Sequence, residues 1–300
     1  MAQVVKAADG RRLSVESLGA PDGKPVFLFH GTPGARDGPR PRGIVLHRLG
    51  IRLICYDRPG YGDSDPQPGR SVGHAANDAA DIADALGIDT FGVVGRSGGG
   101  PHALACAALL GERVECAATL GSLAPIDADG LDWWAGMAES NVRAYGADKG
   151  ELELIAEAMA VELRNDPESW LRSLGSELDV DDKEVVGDIA LRRIIAETHA
   201  KALEKSPAGW IDDVLALRSP WRFDASAISA PVKLWHGKDD IFSPINHAYW
   251  LKAEIRDSIL EDRSDTAHFA SVRILPEILR WIVSTMNAKP HPQPIGSISI

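Results

Sequence analysis

Gly95-Arg96-Ser97-Gly98-Gly99 fits the pattern G-x-S-x-G, and the serine at its centre is the side chain best placed to attack a carbonyl. The motif follows a short apolar run at residues 91–94 and opens an Ala/Leu-rich stretch over residues 98–110. Strand, sharp turn and helix together form the setting in which a serine hydroxyl is pushed out as a nucleophile. Glycines at 95 and 99 remove side chains that would collide with the neighbouring helix and strand. The competing reading is a glycine-rich turn whose serine merely caps a helix. A serine hydroxyl is a poor nucleophile at neutral pH. The first reading therefore demands a base, an acid that orients the base, and donors for a developing oxyanion. His236-Gly237-Lys238-Asp239-Asp240-Ile241-Phe242-Ser243-Pro244 offers two carboxylates, and Ala267-His268-Phe269, downstream, offers an imidazole.

The elements that must position these groups can be read from the hydropathy pattern. Asp9-Gly10 sits between two alternating segments, as in an opening hairpin. Apolar runs at residues 26–29, 52–56, 91–94 and 114–120 alternate with helical spacing at residues 72–86 and 98–110. This rhythm signals a mostly parallel central sheet flanked by helices. From about residue 125 to 222 the pattern turns helical and acidic, and it holds Trp133, Trp134, Trp170, Trp210 and Trp221. A strand at residues 232–235, a helix over 245–255, a short strand at 258–260 and a helix over 268–286 then follow. The expected division is a core of residues 1–124 and 223–286, a helical cap at 125–222 and an extended tail at 287–300, where prolines at 290, 292 and 294 stop a helix. Both acid and imidazole then lie on strand-to-helix loops, which converge at the carboxyl edge of such a sheet.

Composition excludes several classes. A net charge of -11 argues against a nucleic-acid surface or an anionic membrane as partner, since both need basic patches. No apolar run approaches the ~20 residues that span a bilayer. The first residues, MAQVVKAADGRR, lack the features of an export signal, so the expected location is cytoplasmic. Cys55, Cys106 and Cys116 show no C-x-x-C spacing and sit in apolar runs, as buried small hydrophobic residues do.

Taken together, these motifs resemble the α/β-hydrolase fold superfamily, over about residues 10–125 and 222–286. In that family the acid lies in a G-x-x-D-x-x-x-P pattern, which Gly237, Asp240 and Pro244 match, so the resemblance assigns the acid to Asp240 and not to Asp239. It implies the chain order serine, acid, histidine, which only His268 satisfies as base. His30-Gly31-Thr32-Pro33-Gly34 is similar to the family's H-G-x-P-G loop, which aims a backbone N–H at the oxyanion. Thr32 is the implied first donor, because Pro33 has no N–H, and Gly98 is the second. His30 and His236 are expected to make structural hydrogen bonds, and His102 to pack its helix. The segment from Tyr56 to Asp65 also resembles a family signature, one that shapes a loop. The resemblance makes the insertion a lid over Ser97, with Trp134, Met137 and Trp210 as candidate substrate contacts. Arg96 is read as a charge-paired residue beside the elbow, substrate contact being the alternative.

The departures narrow the activity. Relatives that dehalogenate alkanes or open epoxides carry Asp at the elbow, whereas this chain has Ser97. Proline iminopeptidases share the H-G-x-P-G loop but carry Trp where this chain has Gly98. The expectation is a serine hydrolase cleaving a carboxylic ester, lactone or thioester of a small, largely apolar molecule, with no cofactor and no metal. The alternatives are an amidase or aminopeptidase, a carbon–carbon bond hydrolase with the same triad, or a hydrolase-fold receptor.

Overall fold

The structure is a computed structural model and describes residues 2–288. Eight strands build one sheet: β1 (Ala2–Lys6), β2 (Arg12–Gly19), β3 (Lys24–Phe29), β4 (Ile51–Tyr56), β5 (Phe91–Arg96), β6 (Val114–Leu120), β7 (Val232–Gly237) and β8 (Ser258–Arg263). Their spatial order is β1-β2-β4-β3-β5-β6-β7-β8. Only the β1/β2 and β2/β4 pairs are antiparallel, and every pair from β4/β3 to β7/β8 is parallel. Parallel neighbours need crossovers, and helices supply them. These are α1 (Gly43–Leu49), α2 (His74–Ala85), α3 (Gly100–Leu109), six helices between β6 and β7, then α10 (Ile245–Glu254) and α11 (Ser271–Ala288).

The strands read as unbroken apolar runs because both faces of the sheet are covered. Phe27, Phe29 and Val93 point into the core that α2 and α3 close, while Val26, Leu28 and Val94 point into the one that α11 closes. Helix α3 is buried over residues 100–107, which explains its small residues. All three cysteines are buried.

The inserted helical cap consists of α4 (Glu139–Gly146), α5 (Lys149–Asn165), α6 (Ser169–Ser173), α7 (Val180–Gly187), α8 (Ile189–Leu203) and α9 (Ala208–Leu217). Its opening differs from the expected helical pattern. Residues 121–138 form turns, because Pro125 and two glycines with left-handed backbone, Gly130 (φ 74°) and Gly136 (φ 79°), interrupt any helix there. At the other end, Asn287 and Ala288 continue α11 instead of starting an extended tail, and the rest of that expected tail lies outside the described residues. Among the described residues, no helix is long and apolar enough to cross a membrane.

Candidate active site

Ser97 stands where β5 ends and a single 3-10 turn (Ser97–Gly99) leads into α3. Its φ of 52° is a left-handed conformation that a non-glycine residue seldom adopts, and the glycines around it allow the turn. A Cβ on Gly95 would lie 2.2 Å from the carbonyl oxygen of Gly99, and one on Gly99 would lie 2.4 Å from that of Phe29. Neither position tolerates a side chain. The His102 ring, one turn along, donates from Nδ1 to the Gly98 carbonyl at 2.8 Å. Burial drives the pKa of His102 down to about 3, so it is a neutral strut for the elbow.

The loops after β7 and β8 bring the next pair together. His268 Nδ1 lies 2.8 Å from Asp240 Oδ2. The carboxylate can only accept, so Nδ1 carries the proton and Nε2 is left with its lone pair, the tautomer a general base needs. Asp240 is itself held by the backbone N–H groups of Phe242 and Ser243, at 2.9 and 2.8 Å to Oδ1. It is 3% exposed, whereas Asp239 faces solvent. His268 and Ser97 line one cavity.

The loop after β3 supplies the remaining part. A Cβ on Gly98 would fall 2.4 Å from Thr32 Oγ1, so the two candidate oxyanion donors stand side by side. The N–H of Thr32 has no protein partner among the described residues, and that of Gly98 belongs to the opening turn of a helix, where N–H groups are free. The loop is gripped from several directions. Arg58 donates to the carbonyls of His30 and Gly31 and to Thr32 Oγ1. Thr32 Oγ1 donates in turn to Asp213 of α9 at 2.9 Å. Asp213 also accepts from Arg58, from Arg70 at 2.6 Å and from the Tyr61 hydroxyl at 2.8 Å. Burial opposes its charge, but Arg58 and Arg70 hold its carboxyl well below the usual range.

A second cap contact grips the histidine loop. Asp181 accepts from the Ala267 N–H at 2.9 Å and Asp182 from the Phe269 N–H at 2.7 Å, so two successive carboxylates at the start of α7 bracket His268.

The cavity beside Ser97 has aromatic walls of Tyr145, Trp170, Phe242 and Phe269. Trp134, Met137 and Trp210 do not line it. Trp134 is 38% exposed and packs edge-on against Trp133, whose indole N–H is bonded to the Ala124 carbonyl, while Met137 and Trp210 are buried in the hydrophobic core. The turns at 121–138 bury Trp133 in the core and turn Trp134 outward, which no helical spacing anticipates. Arg96 also departs from expectation: it is buried and lines the cavity, yet no charge pairs with it among the described residues. His30 and His236 make the structural bonds expected of them, to backbone groups of Arg58 and Ser243. Asp213, Asp182 and the wall residues Tyr145 and His199 were not found from sequence, because their partners lie far away along the chain and no motif marks them. No group of His, Cys, Asp and Glu among the described residues is arranged to hold a metal ion.

Comparison with known proteins places the fold. The sequence pattern of the alpha/beta hydrolase fold family matches residues 24–272. A 2-hydroxymuconate semialdehyde hydrolase of Pseudomonas putida is 27% identical over 283 residues, covering 92% of this chain and 90% of the relative. A non-heme haloperoxidase of Rhodococcus erythropolis is 32% identical over 124 residues, 41% of this chain and 44% of its own. Among solved structures, bromoperoxidase from Bacillus anthracis superposes with a TM-score of 0.70 at 21% identity, covering 96% of this chain and all of its own. With the match spanning sheet, elbow and cap, the chain belongs to the alpha/beta hydrolase fold family.

Proposed function

We propose that the protein is a serine hydrolase that cleaves a carboxylic ester, lactone or thioester of a small molecule through an acyl-enzyme on Ser97. The observation that carries this reading is the 2.8 Å contact between His268 and Asp240 in a cavity shared with an elbow serine. Ser97 Oγ attacks the substrate carbonyl and His268 Nε2 takes its proton. Asp240 keeps His268 in the working tautomer and stabilises the imidazolium. The N–H groups of Thr32 and Gly98 receive the oxyanion, and each such donor typically contributes ~3 kcal/mol to the transition state. His268 returns the proton to the departing alkoxide or thiolate as the bond to the acyl carbon breaks. Water, deprotonated by the same imidazole, then opens the acyl-serine, so ester and water yield acid and alcohol. The substrate is bounded by aromatic walls, which fits a largely apolar body.

The test is covalent labelling with a fluorophosphonate followed by peptide mass spectrometry, beside turnover of short p-nitrophenyl esters. Modification at Ser97 is expected, with turnover abolished in Ser97→Ala. An unlabelled Ser97 in folded protein, or wild-type turnover by the alanine variant, would overturn the assignment.

A further inference from the structure

Three arginines are buried in this protein: Arg58, Arg70 and Arg96. The first two share Asp213 as counter-charge. Arg96, 6% exposed at the end of β5, makes no side-chain hydrogen bond or ion pair among the described residues, and its nitrogens are not among the fully enclosed ones: they open onto the cavity. A guanidinium keeps its charge under almost any condition, and leaving one buried without a partner is costly. Burial alone lowers its pKa to about 10, which still leaves it charged at neutral pH.

Its surroundings show where a partner would come from. Arg96 lines the cavity that holds Ser97 and His268, and among the described residues no Asp or Glu lines that cavity. His199, the neighbouring polar wall, offers no charge of either sign. Its Nδ1 donates to the Ile195 carbonyl at 2.7 Å, its ring stacks on Trp170, and burial brings its pKa down to about 4. The guanidinium also stands close to the nucleophile. A Cβ built on Gly31 would lie 3.5 Å from Arg96 Nη2 and 3.7 Å from the Ser97 Cβ, so both flank the same point of the oxyanion loop. A carboxylate bonded to Arg96 at about 2.8 Å would therefore sit only a few bonds from the carbonyl under attack.

We propose that Arg96 anchors a carboxylate carried by the substrate, so that the enzyme acts on small esters or lactones bearing a negative charge a few bonds from the scissile carbonyl. This rests on Ser97 as the nucleophile for the reaction, though not for the binding. It adds a single anionic group to an otherwise apolar substrate and removes the need for a protein counter-ion.

Binding and turnover test it separately. In calorimetry, Ser97→Ala protein is expected to bind one or more of monomethyl succinate, glutarate and adipate. Adding Arg96→Met is expected to weaken that binding at least about thirtyfold, the usual consequence of removing one partner of a buried charge pair. In turnover, the ratio of kcat/KM for monomethyl glutarate to that for methyl pentanoate should fall by a similar factor in Arg96→Met and survive largely in Arg96→Lys. No binding of any of the three anions, or equal binding and an equal ratio in Arg96→Met, overturns the proposal. Loss of anion binding in a protein that neither labels at Ser97 nor turns over esters would leave the anchor standing and the nucleophile wrong. Where Arg96→Met loses its circular-dichroism signature, Arg96→Gln against Arg96→Lys carries the comparison, and discrimination retained by Gln overturns it.

Discussion

Adjacent carboxylates at the end of β7 have opposite fates. Asp239 points into solvent, while Asp240 is enclosed by two backbone N–H groups and the His268 ring. Asp240→Asn preserves shape but turns an acceptor into a donor and so favours the wrong imidazole tautomer. Ester turnover is expected to fall by ~10⁴-fold, with Asp239→Asn within twofold of wild type, as steady-state kinetics on a p-nitrophenyl ester would show. Equal losses in the two variants would sink the assignment. The histidines sort by the same reasoning. Burial pushes the rings of His30, His102, His199, His236 and His247 towards the neutral form, and each bonds a backbone group. Among the described residues, only the His268 ring takes a side-chain carboxylate as a hydrogen-bond partner. Sequence could distinguish these residues because an elbow, an acid loop and a histidine loop each need particular neighbours within a few positions. Arg96 was legible as an arginine in the motif and illegible as a buried unpaired one, since a missing partner leaves no trace along the chain.

Helix α9 reaches the Thr32 loop through Asp213. Asp213 lies 181 residues from Thr32 in sequence and 155 from Arg58, yet it bonds both. Such contacts have no local signature, which is why the cap was readable as helices but not as a part of the oxyanion loop's support. The folded pKa of Asp213 lies below its unfolded value of 3.8, so its network stabilises fully above that value and loosens only as pH falls towards the depressed one. Asp213→Asn would leave Arg58 and Arg70 buried without a counter-charge. A loss of about 3–5 kcal/mol in unfolding free energy is expected, a large share of an ordinary domain's stability. Urea denaturation measures it. Because the Thr32 hydroxyl also loses the charged acceptor to which it donates, ester turnover should drop further than the unfolded fraction explains. A variant with wild-type stability would show that Arg58 and Arg70 do not depend on Asp213 as their counter-charge. The starts of the six strands from β3 to β8, by contrast, are legible to within two residues, because a covered parallel sheet writes continuous apolar runs, although β7 and β8 run two and three residues past the expected ends; the turns at 121–138 are not, because alanines and tryptophans there look helical while Gly130 and Gly136 decide otherwise.

Over the whole molecule, the sheet and the helices inserted after β6 meet at the candidate site through carboxylates, and one of them makes that union sensitive to pH. Asp182 bonds the Phe269 N–H through Oδ1, while its Oδ2 is buried without a partner. Burial raises its pKa from 3.8 to about 6; the neighbouring His268 favours its charge, and Asp240 and Asp181 oppose it. Between these two values the folded protein holds a proton that the unfolded chain has lost, so stability is greatest below pH 4 as far as this group is concerned. It declines as pH rises through 6, by up to about 3 kcal/mol. Asp182→Asn keeps the acceptor for Phe269 and removes the titration. Thermal unfolding followed from pH 5 to pH 8 should therefore show a smaller drop in Tm for Asp182→Asn than for the wild type. The same variant also takes a negative charge away from the imidazolium of the transition state, so its kcat should fall at pH 8 while little changes at pH 5, where Asp182 is already mostly protonated. Identical pH profiles of Tm in the two proteins would mean that the cap docks on the histidine loop without regard to this charge.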